Sequence, residues 1–233
     1  MRHFLLIFLF IATPLAFAAP VPKDGKEGKL TRLYGKPVDP DKRCEFSLEG
    51  EDLIVKMSAE LNASAVSLKG APRTALEISG NFEAVVAVKY TSEKTPGTDA
   101  VGGHLGGGLA IWETEDVCFL INRHHWPSVG AANGSNWSGG FDVHGTTKGT
   151  TTSHGATCGE VPLDRATHLK LRRVGNTIAS AESRDGGKTW NPLTEGNHEF
   201  ANTLNLGICV FNTTSSKGTV TFSGLLVTAL PAK

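Results

Sequence analysis

The chain has 233 residues, of which 39% are hydrophobic and 7% are aromatic, and its 23 basic residues equal its 23 acidic ones. This hydrophobic content suffices for a core and excludes wholesale disorder, and a net charge of zero leaves no basic field to attract nucleic acid or an anionic membrane. The 27 glycines against 11 prolines indicate many tight turns, as in β-rich proteins.

Residues 1–18 have the pattern of a secretory signal peptide. Arg2 precedes an apolar run over residues 4–12, and residues 16–18 (Ala-Phe-Ala) fit the small-residue cleavage rule. The run is shorter than the roughly 20 residues that a membrane span needs, and Pro14 follows it closely. We therefore expect cleavage after residue 18, a secreted or periplasmic protein, and no transmembrane segment after cleavage.

A polar leader and one domain follow the signal. Residues 19–34 contain charged residues together with proline and glycine, and we expect a flexible leader there. From residue 35 to residue 231, short apolar runs alternate with turn signals. Residues 81–90 alternate with a period of two, which is typical of a half-buried strand. Further strands are expected at 52–57, 107–112, 117–123, 168–174, 177–183, 204–212 and 218–229.

The pattern of short strands predicts a single all-β domain. No window shows a convincing helical period, so we expect no long helix. Many short strands at nearly regular spacing favour a sandwich or jelly roll. Residues 128–160 carry almost no aliphatic pattern, and long loops of this kind are usually functional or mobile. Short strands such as 140–143 would make part of this segment a hairpin extension.

Residues 183–190 read SRDGGKTW and match the Asp-box pattern S-x-D-x-G-x-T-W. Asp185 can accept hydrogen bonds from nearby backbone N–H groups, and Gly187 can supply a positive φ. Trp190 then begins the returning strand of a β-hairpin. We interpret Asp185, Gly187 and Trp190 as residues of a structural turn, without a catalytic role.

Several segments together resemble a known exported family. They are GKPVDPD at 35–41, CEF at 44–46, LIV at 53–55, APR at 71–73, ISGNF at 78–82, GGLAIW at 107–112, LKLRR at 169–173, the Asp-box, VFNT at 210–213 and VTF at 220–222. Over about residues 33–230, the chain resembles domain-of-unknown-function family 1349, sometimes labelled "regulation of enolase".

The resemblance implies a concanavalin A-like lectin/glucanase fold, a jelly-roll β-sandwich of two antiparallel sheets of which one is concave. The family has no agreed catalytic residues, so the resemblance supplies no site. Residues 124–160 are longer and richer in histidine and glycine than the family pattern. We expect any specificity of this protein to lie there.

The segment 124–160 also supplies our candidate ligand-binding residues. An indole face can stack on the apolar face of a sugar ring, and amide, carboxylate and imidazole groups can fix hydroxyl orientation. An equal alternative is that each tryptophan anchors its loop to the sandwich. On the first interpretation, an oligo- or polysaccharide is the partner, and the binding residues are Trp126, Trp137, His124, Asn136 and Asp142.

Whether the chain is an enzyme stays open, and the sequence favours a non-catalytic module. Retaining glycosidases need two carboxyl groups about 5–5.5 Å apart. Glu113 and Glu115 share parity, but they lie between two apolar runs, which predicts an exposed hairpin turn. The alternatives are a glycoside hydrolase or polysaccharide lyase that uses these residues or a central histidine, and a structural envelope module that binds protein.

The histidines and cysteines give weaker signals. Asp142 and His144 could share one face of a strand, but no ligand-spacing signature supports a metal site, and we expect no metal and no cofactor. The four cysteines allow three disulfide connectivities in an oxidising compartment. We favour a Cys118–Cys158 pair, because Cys158 lies in a loop that could reach a strand.

Overall fold

The structure, a computed structural model, describes residues 26–61, 67–92, 104–127, 137–147, 150–157 and 165–231. Within these residues, no helix has both the length and the apolar character needed to cross a membrane. The elements in chain order are α1 (Lys26–Tyr34), β1 (Lys36–Val38), β2 (Cys44–Glu49), β3 (Asp52–Met57), β4 (Arg73–Ser79), β5 (Phe82–Ser92), β6 (Leu105–Thr114), β7 (Val117–Pro127), β8 (Trp137–Thr147), β9 (Thr150–Thr157), β10 (Thr167–Val174), β11 (Thr177–Ser183), β12 (Asn191–Asn197), β13 (Thr203–Asn212) and β14 (Gly218–Ala229).

The strands form two seven-stranded antiparallel sheets. The first sheet has the order β1-β4-β13-β6-β7-β8-β9, and the second has the order β12-β11-β10-β5-β14-β3-β2. Neighbours such as β13 and β6, or β14 and β5, are distant in the chain, as the crossovers of a jelly roll require. The predicted all-β fold, a jelly-roll sandwich of two antiparallel sheets, is confirmed.

Alternation of side chains explains the second sheet. In β10, Leu169 and Leu171 are fully buried against the first sheet, whereas Lys170 and Arg172 lie on the opposite, outer face. Period-two burial of this kind places one face of a sheet on the core and the other in water. The outer face of the second sheet is therefore polar along β10.

The central strands of the first sheet follow a different pattern. Residues 105–112 of β6 are all buried, although successive residues point to opposite faces. A Cβ at Gly107 would lie 2.8 Å from the Phe222 ring of the second sheet, so the absence of a side chain lets the sheets approach here. The continuous run means that the outer face of the first sheet is also covered.

A buried arginine links the two sheets. Arg123 of β7 is 1% exposed and points into the core. Its Nη1 donates to the carbonyl oxygen of Val88 at 2.8 Å and to that of Arg165, and its guanidinium lies 4.9 Å from the centroid of the Tyr90 ring. The cation is thus held by backbone oxygens and an aromatic ring.

Helix α1 corrects the expectation of a flexible leader over residues 19–34, because its second half is ordered on the sandwich. Leu30 and Tyr34 are buried in the core. The Tyr34 hydroxyl lies within hydrogen-bond distance of the carbonyl oxygens of Glu51, at 2.8 Å, and Phe222, at 2.9 Å. The i, i+4 spacing of the two apolar residues puts them on one helix face, a signal that the charged neighbours obscure. The expected signal peptide and residues 19–25 lie outside the described residues.

The cysteine pattern also differs from the expectation. Cys44, Cys118 and Cys209 carry free thiols, so the favoured Cys118–Cys158 pairing is wrong for Cys118. Its side chain is 2% exposed within the first sheet, and burial raises the pKa of the Cys118 thiol. Cys158 itself lies outside the described residues.

Candidate ligand-binding site

Strands β3, β5, β7, β9 and β13 all finish at one end of the sandwich, which we call the loop end. The registers fix it: Gly218 pairs with both Ser92 and Met57 in the second sheet, and Leu105 pairs with both Asn212 and His125 in the first. Four segments connect strands at this end and lie outside the described residues, namely 62–66, 93–103, 128–136 and 158–164.

The β8–β9 hairpin occupies part of the segment 128–160, which was expected to be a long functional or mobile loop. β8 pairs with β7 through eleven-residue strands, and β9 pairs with β8. The hairpin extends the first sheet beyond β7, and short strands such as 140–143 had been expected to form such an extension. The β7–β8 connection therefore leaves the sheet at the loop end.

Two histidine rings meet where the first sheet reaches the loop end. The ring centroids of His104 and His124 are 5.5 Å apart, with the planes tilted by 54°. The His104 backbone is fixed to the β13–β14 connection, because its N–H donates to Thr213 Oγ1 at 2.7 Å and its carbonyl accepts from the Thr213 N–H at 2.8 Å. His124 is 5% exposed. The pair therefore lies on the first sheet, where β6 begins and β7 approaches its end.

The register shows which predicted binding residues share a face. Asp142 pairs with Asn122, and Asn122 shares a face of β7 with His124, two residues further on. Asp142 therefore occupies a position on the same face of the first sheet as His124. Trp126, two residues beyond His124, has the same parity. Trp137 pairs with Pro127 and therefore takes the opposite parity. Asn136 and the side chains of Trp126, Trp137 and Asp142 lie outside the described part of the structure.

Away from the loop end, the outer face of the first sheet is covered by the chain itself. Arg73 Nη1 donates to the carbonyl oxygens of Leu68, at 3.1 Å, and Ala71, at 2.9 Å. Its Nη2 donates to Glu115 Oε1 at 2.8 Å, and its guanidinium lies 5.6 Å from the centroid of the Trp112 ring. Leu68 and Ala71 are buried. The middle of this face is therefore closed to a ligand.

Sequence reasoning missed two polar residues on the same outer face. Asn122 is 1% exposed and its Oδ1 accepts a hydrogen bond from Cys209 Sγ at 3.4 Å. Burial raises the pKa of Cys209 to about 12, so the thiol is protonated and serves as a donor. The alternation of residues 117–123 could have placed Asn122 on the face that continues to His124, whereas no local signal identified Cys209.

The two glutamates considered for catalysis have separate structural partners. Glu115 is paired with Arg73, and Glu113 Oε1 accepts a hydrogen bond from the Ala201 backbone N–H. Both lie at the β6–β7 turn, at the end of the sandwich opposite the loop end. The structure does not bring these carboxylates to the predicted binding residues.

The residues considered for a metal site occupy successive outward positions on β8. Asp142 pairs with Asn122 and His144 with Leu120. Among the described residues, no group of three or more histidine, cysteine, aspartate or glutamate side chains is placed to hold a metal ion.

The turn at residues 183–190 is organised around one carboxylate. Asp185 Oδ1 accepts bonds from the N–H groups of Lys188 and Thr189, each at 3.0 Å, and from Ser183 Oγ at 2.8 Å; Oδ2 accepts from Thr189 Oγ1 at 2.7 Å. Gly187 has a φ of 84°. The Thr189 N–H, followed by the Thr189 and Ser183 hydroxyls, holds the pKa of Asp185 well below its usual range. The stability that these bonds confer is lost on acidification below the ordinary aspartate range.

The last residue of this turn touches the second sheet. The Lys170 ammonium lies 4.0 Å from the centroid of the half-buried Trp190 ring. The contact is a cation–π pair between β10 and the start of β12. It fixes the indole at the edge of the outer face of the second sheet.

No protein-family model and no curated protein matches the sequence. Among solved structures, a protein of unknown function from Saccharomyces cerevisiae matches with a TM-score of 0.63 and 15% identity, over 84% of this chain and 97% of that one. A legume lectin-like domain from Entamoeba histolytica matches with a TM-score of 0.56 and 10% identity, over 93% and 100%. The alginate lyase from Klebsiella pneumoniae matches with a TM-score of 0.53 and 11% identity, over 79% and 84%. At these identities, the matches show a shared fold.

Proposed function

We propose that the protein is an exported, non-catalytic carbohydrate-binding module whose site is the loop end of the first sheet. The observation that carries the proposal is the β7–β8 register, which gives His124, Trp126 and Asp142 neighbouring positions on one face. Asn136 belongs to the adjoining β7–β8 connection. Trp137 begins β8 with the opposite parity, and we place it at the border of the proposed site.

The chemistry of these residue types suits a sugar. An indole offers a flat apolar surface for the C–H face of a pyranose ring, while imidazole, carboxylate and amide groups exchange hydrogen bonds with hydroxyls. Because the middle of the outer face is covered by residues 67–72, a ligand would lie across the loop end. The lectin-like domain with which the chain shares its fold supports this choice of ligand class.

The absence of catalysis in the proposal rests on the described acidic and thiol groups. Glu113 and Glu115 hold structural contacts at the far end of the sandwich, and the Cys209 thiol is protonated over the physiological range. A hydrolase built on the two glutamates would need both carboxylates beside the bound sugar. Binding without cleavage fits these positions better.

Export and family membership are parts of the same proposal. The basic, apolar and small-residue order of residues 1–18 supports secretion to the periplasm or the medium. The motifs at 35–41, 107–112 and 183–190 support membership of domain-of-unknown-function family 1349. Amino-terminal sequencing of the exported protein tests the first point, with residue 19 as the expected start.

The binding proposal is tested by a glycan array and by affinity electrophoresis in gels containing plant, algal or bacterial polysaccharides. We expect retardation in at least one gel, and its loss in Trp126→Ala and Asp142→Asn. Lys56→Ala is the matched control, because Lys56 lies on the other sheet in an exposed ion pair with Glu45. Unchanged mobility in every gel would contradict the proposal. Release of reducing or unsaturated sugar ends would replace it with a hydrolase or a lyase.

A further inference from the structure

A trough runs along β11 on the outer face of the second sheet. Its floor is Ala179 and Ala181, whose methyl groups do not rise above the sheet. Lys170 and Arg172 of β10 border it on one side, and Glu195 of β12 on the other. The register pairs Arg172 with Ala179 and Ala179 with Glu195, so the three side chains lie in one row across the sheet.

Two adjoining cavities make up the trough, one of about 540 Å³ and one of about 420 Å³. Arg172, Ala179 and Glu195 line both, so the space is continuous. It extends along β11 from Thr177 to Ala181, which is ~13 Å at a rise of about 3.3 Å per residue. An extended oligomer fits this shape better than a compact ligand.

The charges of the trough cancel. Lys170 is already balanced, because its ammonium lies 4.0 Å from Glu83 Oε2 and against the Trp190 ring. Arg172 and Glu195 are exposed at the centre. Two cations and two carboxylates therefore border the same space. Such a lining attracts neither polyanions nor polycations, whereas its guanidinium and carboxylate groups can exchange hydrogen bonds with hydroxyls.

The remaining features exclude other classes of ligand. An extended peptide that added to the sheet would bind along the edge strand β12, and not across the face of the sheet. A lipid chain would leave the charged walls desolvated without partners. Trp190 lies next to the trough and not in its lining: its half-buried indole contacts Lys170, which borders the second cavity.

We propose that this trough is a second saccharide-binding site, which takes an uncharged oligosaccharide chain in contact with Arg172, Glu195 and Trp190. It lies on the sheet opposite the loop-end site of the first sheet. The inference extends the proposed carbohydrate-binding function and rests on it for the ligand class. The two sites share none of their named residues, so they can be tested separately.

The experiment titrates the ¹⁵N-labelled protein with cellotriose, laminaritriose, xylotriose and maltotriose, with trigalacturonate and triglucosamine as charged comparisons. We expect at least one neutral trisaccharide to shift the Ala179, Ala181 and Glu195 amides saturably, and to change Trp190 fluorescence. Arg172→Ala should weaken this binding about tenfold, as loss of a charged hydrogen bond does. Ala179→Leu should abolish it by filling the floor. Lys56→Ala, on the same sheet, should bind like the parent protein.

The charge balance gives a second and more specific measurement. Glu195→Gln leaves a net positive trough, so its affinity for trigalacturonate should rise relative to the parent protein. Circular dichroism of each variant shows that it is folded before binding is compared.

The outcomes separate this proposal from the loop-end site. If neutral sugars bind, are lost in Trp126→Ala and are unaffected by Ala179→Leu, the trough proposal is overturned and the proposed function stands. If binding is lost in Ala179→Leu alone, the trough is a saccharide site and the loop-end assignment fails. If none of the trisaccharides shifts β11, or the charged ones bind it as tightly as the neutral ones, the trough proposal is wrong.

Discussion

The two outer faces of the sandwich have the same backbone geometry but opposite surroundings. On the first sheet, Leu120 is 1% exposed, because residues of the chain itself cover that face; on the second, Leu226 is 63% exposed. Arginines show the same contrast: Arg73 is buried beside Trp112, whereas Arg172 is open to water. The outer face of the first sheet is therefore buried like a core, whereas the outer face of the second sheet is exposed to solvent.

The difference shows how the chain specifies which face is covered. Residues 105–112 are apolar or glycine without interruption, and such runs are typical of strands that are covered on both sides. Residues 167–174 alternate, and their outward members are charged or polar. The outer face of the first sheet is buried only if a segment of the chain covers it. Residues 67–72 form this cover, and Arg73 binds two of their carbonyl oxygens.

The largest effect that would test this comparison comes from one truncation made on both faces. Leu120→Ala should lower the free energy of unfolding by about 3 kcal/mol, because it removes buried methyl groups and leaves a cavity. Leu226→Ala should change it by no more than about 0.5 kcal/mol, as surface changes do. Urea denaturation measures both. Equal losses for the two variants would contradict the assignment of a covered and an open face.

The two arginines should give a smaller difference of the same sign. Arg73→Ala should cost about 2 kcal/mol, because it removes the guanidinium donor from the carbonyl oxygens of Leu68 and Ala71 and the contact with the Trp112 ring. Arg172→Ala should leave stability nearly unchanged. Amide hydrogen exchange at residues 67–72 sharpens the test, since faster exchange there is expected in the first variant alone. A stable Arg73→Ala protein with slow exchange in this segment would show that something else holds the cover.

The smallest effect concerns His198, which lies in the core between the two sheets and on neither outer face. His198 is 5% exposed and packs edge-on to the Phe119 ring, with centroids 5.0 Å apart. Burial lowers its pKa, so the unfolded chain binds the proton more readily than the folded one. Stability should therefore fall as the pH drops below about 6.5, the ordinary histidine value.

Denaturant unfolding of the parent and His198→Gln proteins between about pH 8 and pH 5 measures this contribution. The parent should lose more stability than the variant over that interval. The same slope in both proteins would show that other groups carry the pH dependence. Acid effects at the Asp185 turn fall below this interval, because that carboxylate titrates at lower pH.

Local pattern was enough to predict the sandwich, and it failed where tertiary contacts decide. The alternation in β3, β11 and β14 gave strands at the bounds that the structure has. Helix α1 was missed, because its polar composition outweighs the two residues, Leu30 and Tyr34, that hold it on the core. The cover over the first sheet was also missed, since residues 67–72 carry no period and are held by tertiary contacts of Arg73 and of the Pro72 carbonyl oxygen.

The candidate site was predictable only in part. The sequence suggested His124 and Asp142 as residue types suited to a ligand, but only the β7–β8 register shows that their positions share a face. His104, which immediately precedes β6, contacts His124 of β7, and no local motif predicts this contact. The trough could not be predicted from the sequence for the same reason. Arg172, Ala179 and Glu195 form a row only because β10, β11 and β12 pair in this register.

The docking of helix α1 determines where the folded unit starts. The Tyr34 hydroxyl lies within hydrogen-bond distance of the carbonyl oxygens of Glu51, in the β2–β3 turn, and Phe222, in β14. Lys29 Nζ donates to the Gly50 carbonyl oxygen at 2.9 Å. A shortened chain that began at Gly35 would expose the patch beneath Leu30 and leave these oxygens to water. A shortened version of the domain should therefore keep helix α1, whose Lys29 contacts the β2–β3 turn at the end of the sandwich opposite the loop end.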